Sequence, residues 1–165
     1  MKFNLLSALA LFLVIAALYG WWRVDLRWRP ETIDRNVAQI TKIVEQSGWV
    51  SPGLGGPKLY MIGYGDCAAC AAYKAQEFPA LQEASVDTRL IEIARADDKG
   101  APQSTLAERS TVAELWVNRS WALAQRWDAA APGAWTAEGI TPADTDVART
   151  AVVEAGRKMA ADLAP

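Results

Sequence analysis

The sequence predicts an α/β fold built on a parallel β-α-β unit, followed by a large helical segment and preceded by an apolar N-terminal helix. Three observations carry that expectation. The run Lys58-Leu-Tyr-Met-Ile-Gly63 reads as a short buried strand, and Thr88 to Ala94, with Leu90, Ile91 and Ile93, reads as a second. Ala68 to Leu81 between them reads as a crossover helix, and such a crossover joins parallel strands with a right-handed connection. The chain's only two cysteines, Cys67 and Cys70, stand at the junction of the first strand and that helix.

The whole chain sets the bounds. Its 165 residues, 52% hydrophobic and 22% charged, leave room for one packed domain beyond a short N-terminal segment. The net charge is −2, and no basic patch with interleaved aromatics occurs, so nucleic acid is not an expected partner. Histidine is absent. That removes Ser-His and Cys-His catalysis, and two cysteines alone cannot close a four-ligand zinc site within one chain, so no resident zinc is expected.

Residues 1–29 form an anchor with its flank, 30–57 an amphipathic helix and loop, and 58–165 the main domain. Leu5 to Trp22 is interrupted only by Ser7 and Gly20 and makes about 27 Å of helix, close to a membrane's hydrocarbon thickness. Tyr19, Trp21 and Trp22 suit an interfacial belt. No small-x-small cleavage site follows the apolar run, which favours an uncleaved anchor over a removed signal peptide. Arg23, Arg27 and Arg29 outnumber Lys2 across the segment, and the positive-inside rule taken alone keeps the domain in the cytoplasm. A short N-terminal tail and an isolated cysteine pair instead suit a signal anchor with the domain on the periplasmic or extracytoplasmic side, which is the expectation adopted.

Further along, Pro30 suits a first helical position, Glu31 and Asp34 the first turn, and Ile33, Val37, Ile40 and Val44 repeat at helical spacing until Gly48. Trp49 to Pro57, with Pro52, Gly53, Gly55 and Gly56, reads as a loop. Pro79 is expected to kink or end the crossover helix near Phe78. Thr105-x-x-Glu108 and Thr111-x-x-Glu114 both match the capping box and start one or two helices running to about Ala130. Val112, Leu115, Trp116, Leu123 and Trp127 share a helical face there, with Trp121 off it, a spacing that indicates core packing. Asp144 to Leu163 is a last helix.

Three roles fit Cys67 and Cys70. A disulfide across so short a loop gains less chain entropy than the roughly 3 kcal/mol of a 15-residue loop, which disfavours a purely structural staple. The pair could hold a soft ion such as Cu(I) with Met61 as a third ligand, so that a non-enzymatic tethered module delivers metal or clasps a protein partner. The third role is reversible thiol–disulfide exchange. Cys67, beside the unpaired N–H groups at the helix start, is then the attacking thiolate, and Cys70, one turn on, resolves the mixed disulfide. Ala68 and Ala69 bring no charge to that thiolate. Asp66 brings a negative one, unless its carboxylate caps the helix instead.

The stretch Lys58-Leu-Tyr-Met-Ile-Gly-Tyr-Gly-Asp-Cys-Ala-Ala-Cys-Ala-Ala-Tyr, with Thr88-Arg-Leu-Ile-Glu-Ile-Ala, resembles the first β-α-β half of a thioredoxin-like domain, closest to membrane-tethered or periplasmic Dsb-type oxidoreductases. The likeness covers Lys58 to Ala94, and the helical stretch beyond it is similar to the insertion such proteins carry. It implies a redox-active Cys67–Cys70 disulfide, Cys67 as nucleophile, Cys70 as resolving cysteine, and substrates that are thiols or disulfides of cell-envelope proteins. It also implies a redox partner that resets the pair, and no cofactor. Thioredoxin-like domains continue with a strand opened by a cis-proline facing the dithiol. Thr141-Pro142 has that look, with Gly133–Ile140 as an irregular edge strand before it, but the residues after it read as a helix start. The expected sheet is therefore incomplete, as in a truncated or degenerate member of the family.

Overall fold

The structure, a computed structural model, describes residues 5–22, 32–131 and 133–164. The chain divides into two units, Met1–Val37 and Ala38–Pro165. The first holds α1, Leu5–Trp21, a helix of 17 residues. Its residues from Ala10 to Trp22 are exposed, on a helix that is apolar all round. Among the described residues no helix is long and apolar enough to cross a membrane. The apolar helix expected at Leu5 to Trp22 is thus present as Leu5–Trp21.

In the second unit a two-stranded parallel sheet lies between two sets of helices. β1, Lys58–Gly63, pairs with β2, Asp87–Glu92, in register from Lys58 opposite Asp87 to Gly63 opposite Glu92. β1 ends at Gly63 as its apolar run predicts, whereas β2 ends at Glu92 rather than Ala94. The last link is Ile93 N–H to Gly63 O, at 2.9 Å. Alternation sends Met61 and Leu90 to one face, where they meet Val50, Phe78, Val112, Leu115, Leu123 and Trp127. It sends Tyr60 and Ile91 to the other, against Val44 and Met159. Residues 49–57 are not wholly loop: Val50 forms an antiparallel bridge to Leu90, with both N–H···O distances 2.8 Å, which makes β2 the central element.

The helices begin and end where caps and packing decide. α2 is Val37–Gln46, starting later than the periodicity predicts because Asn36 takes a positive φ of 54°, which breaks a right-handed helix. Ile33 is left exposed before it, and Pro30 and Glu31 lie outside the described residues. α3, Ala68–Glu83, continues past Pro79 instead of ending near Phe78. A mid-helix proline costs about 3 kcal/mol, but Phe78 and Leu81 on either side of it are packed into the core and hold the helix in place.

α4, Leu106–Asn118, starts at the first capping box: Thr105 Oγ1 accepts from Glu108 N and Glu108 Oε2 from Thr105 N. The second box starts nothing. Thr111 is fully buried mid-helix and its hydroxyl donates to Ala107 O at 2.8 Å. Arg119, at φ 50°, ends α4, and Ser120 caps α5, Trp121–Asp128. A 3₁₀ turn, Ala143–Thr145, precedes α6, Val147–Leu163, whose cap is Asp146, three residues beyond the start the periodicity predicts at Asp144. Among the described residues 133–140 form no strand. The sheet is α/β but incomplete, as expected.

Candidate functional site: the Cys67–Cys70 dithiol

β1 ends at Gly63, the chain turns through Tyr64, Gly65 and Asp66, and Cys67 caps α3 with extended backbone angles, φ −77° and ψ 93°. The turn is closed by Cys67 N–H to Tyr64 O at 3.0 Å. Cys67 and Cys70 form a disulfide with Cα atoms 5.2 Å apart, and both are half-buried, whereas Ala68 and Ala69 are exposed. The Cys70 N–H points at Cys67 Sγ, 3.1 Å away. The cap is therefore sulfur itself, and a helix-start N–H is spent on the atom that would carry a thiolate charge.

Asp66 does not cap the helix. Its carboxylate binds Arg95 Nη2 at 2.7 Å, and the Arg95 guanidinium lies over the Tyr64 ring, 5.0 Å from its centre. The charge expected to act on Cys67 is thus paired. The peptide bond between Thr141 and Pro142 is trans, and Pro142 leads into the 3₁₀ turn packed against α4 and α6. Neither residue lines the dithiol's cleft. No proline loop stands opposite the pair at this position because the turn is tied elsewhere, by Ala143 N–H to the buried Ser110 Oγ at 3.0 Å.

Behind Cys70 lies a group that sequence reasoning missed. A Cβ on Gly63 would sit 3.4 Å from Glu92 Oε2 and 3.5 Å from Cys70 Sγ, so the missing side chain leaves carboxylate and sulfur facing a common space. Glu92 is 5% exposed. Its Oε1 accepts from Lys74 Nζ at 3.2 Å, Lys74 also binds Asp128, and Oε2 has no hydrogen-bond partner. Burial pushes the Glu92 carboxyl above its ordinary value, against the opposing pull of Lys74. Burial alone would lower the Lys74 ammonium, but Glu92 and Asp128 more than offset it, so that group is held above the usual lysine value. The available signal was a glutamate between Ile91 and Ile93 in a strand read as buried. Nothing in the sequence placed Lys74 and Asp128 beside it.

In front of Cys67 a cleft of about 280 Å³ opens between α3, α4 and the segment after α5, walled by Tyr64, Trp127 and Trp135. Met61, the third soft ligand considered for Cu(I), packs into the core cluster instead. Among the described residues no group of three or more His, Cys, Asp or Glu side chains is placed to hold a metal ion. No protein-family model matches the chain, and no curated protein matches its sequence. The small α/β unit with its parallel strands is compatible with a thioredoxin-like fold, and the disulfide is compatible with thiol–disulfide redox chemistry.

Proposed function

We propose that the protein exchanges thiols and disulfides with other proteins, Cys67 acting as nucleophile and Cys70 as resolving cysteine. The Cys67 thiolate attacks one sulfur of a substrate disulfide. That S–S bond breaks, a mixed disulfide forms, and the departing sulfur takes a proton. Cys70 then gives its proton to the Glu92 carboxylate and attacks Cys67 Sγ. The second substrate sulfur leaves, so two electrons have passed to the substrate and Cys67–Cys70 is oxidised. Run in reverse, the same steps oxidise a substrate dithiol. Turnover needs a redox partner, and the sulfur chemistry needs no metal or organic cofactor.

The observation that carries the reading is the pairing of opposite environments. An N–H group is aimed at Cys67 Sγ, and an unpartnered buried carboxylate oxygen faces the space beside Cys70. One sulfur is favoured as the anion and the other is given a proton acceptor. The α1 helix is proposed as the tether to a membrane, with the dithiol unit on its extracytoplasmic side; alkaline carbonate extraction and an impermeant thiol reagent test those two statements.

The decisive experiment is insulin reduction and dithiol oxidation by the full chain, alongside Cys67→Ser. Activity abolished by that substitution is expected. An inactive wild-type chain that binds about one Cu(I) when reduced would replace this reading with the metal-delivering one.

A further inference from the structure

The cleft in front of Cys67 is aromatic in its walls and acidic in its charge. Trp127 and Glu108 stand directly against the turn that leads to the dithiol: a Cβ on Gly65 would lie 2.6 Å from Trp127 Cζ2 and 2.9 Å from Glu108 Oε1. Trp135 stands 6.3 Å from Trp127, ring centre to ring centre, and is fixed by its Nε1–H donating to Thr111 Oγ1 at 2.7 Å. Four carboxylates line the cleft, those of Asp66, Glu92, Glu108 and Asp128, against the single ammonium of Lys74. Lys74 is already engaged by Glu92 and Asp128, and Arg95 offsets Asp66. Glu108 has one oxygen in the capping box, and the other faces Gly65. One of the four, Glu92, is 5% exposed and keeps Oε2 without a hydrogen-bond partner.

We propose that this cleft receives a lysine or arginine side chain flanking the reacting cysteine of a substrate peptide. This rests on the dithiol being an exchange site. An amphipathic cation fits both properties at once. Its alkyl stem lies along Trp127 at the edge of Trp135, whose ring already carries the Arg126 guanidinium 5.5 Å from its centre, and its head reaches the Glu108 oxygen that faces Gly65. A glutamate in the same place would meet an excess of like charge, and a leucine would gain the walls without the head-group contact. The substrate class is therefore a disulfide set in a basic local sequence, selected by the residue beside its cysteine rather than by the sulfur.

The test uses the full reduced chain and three peptides with one cysteine each, presented as the mixed disulfide with thionitrobenzoate and flanked by Lys, Leu or Glu. Rates are divided by those of the same peptides with dithiothreitol, which removes their intrinsic reactivity. The Lys peptide is expected to react about five- to tenfold faster than the Glu peptide at low salt, with Leu between, and the ratio to shrink toward about twofold near 0.5 M salt. In Glu108→Gln, where glutamine still serves the capping box, the Lys-to-Glu ratio is expected to fall to about twofold or less. Exchange with neutral hydroxyethyl disulfide separates the failures. If the chain reacts with it but treats the three peptides alike, or if Glu108→Gln keeps the full preference, the subsite is overturned and the dithiol reading stands. If the chain does not react with it at all, the dithiol reading falls and the subsite with it.

Discussion

Replacing Glu92 by Gln keeps the size of the side chain and the acceptor oxygen facing Lys74, but removes a negative charge from beside Cys70. The carboxylate and the sulfur are within about 7 Å of each other, because one point lies 3.4 Å from Oε2 and 3.5 Å from Sγ. At that separation and an effective dielectric constant near 20, their repulsion is about 2 kcal/mol, equivalent to between one and two pH units. Lys74, freed of half its compensation, acts in the same direction. In a Cys67→Ser background, where serine preserves the helix cap, Glu92→Gln is expected to move the appearance of the Cys70 thiolate, followed by ultraviolet absorbance, down by about one to two pH units. The resolving step in the otherwise native chain should show the complementary effect. With its proton acceptor gone, the limb of the pH–rate profile that belongs to Glu92 disappears, although more thiolate is present. A titration that stays put, or moves to higher pH, would refute the placement of Glu92 beside Cys70 as the group that governs it.

Three further outcomes follow from the same geometry. Cys70→Ser, challenged with a disulfide-bonded protein, is expected to accumulate a mixed disulfide visible by mass spectrometry, while Cys67→Ser forms none. Gly48→Ala places a methyl group inside the indole of Trp116, so urea unfolding should show a loss of about 1–3 kcal/mol with exchange toward hydroxyethyl disulfide retained. Hydrogen bonds from Arg109 hold the Asp144 carboxyl below the usual carboxylate range, against a smaller penalty from burial. Its contribution to stability is therefore present above the ordinary aspartate value and lost as pH falls through the lowered one, so Asp144→Asn should flatten the fall of the urea midpoint on acidification. Glu92 has the opposite sign: its raised value favours the fold at low pH, a contribution lost as pH rises through that value.

Local chemistry explains where the sequence and the structure agree. β1, α3 and β2 were legible because apolar runs of strand length and a helical stretch lie next to each other in the chain, with turn residues between them. The capping box of α4 was legible because Thr105 and Glu108 satisfy each other's backbone groups within four residues. The identical pattern at Thr111 and Glu114 misled, since burial gives Thr111 an Ala107 carbonyl and the Trp135 indole as partners, and a helix interior needs no cap. Pro79 misled for a related reason: the penalty for proline is local, whereas the core contacts that overcome it come from distant residues.

By itself the sequence determined the α/β class, the parallel crossover unit, the incompleteness of the sheet and the place of Cys67 and Cys70 at the start of α3. Each of these depends on residues close together along the chain. Only the tertiary structure decided what surrounds the sulfurs. It took Thr141-Pro142 away from them, tied Asp66 to Arg95, brought Val50 onto β2, and set Glu92, Lys74 and Asp128 behind Cys70 with Trp127, Trp135 and Glu108 in front of Cys67. Those groups are contributed by five separate segments. Their electrostatics depend on burial and on distances of a few ångströms, quantities that arise only when the chain packs.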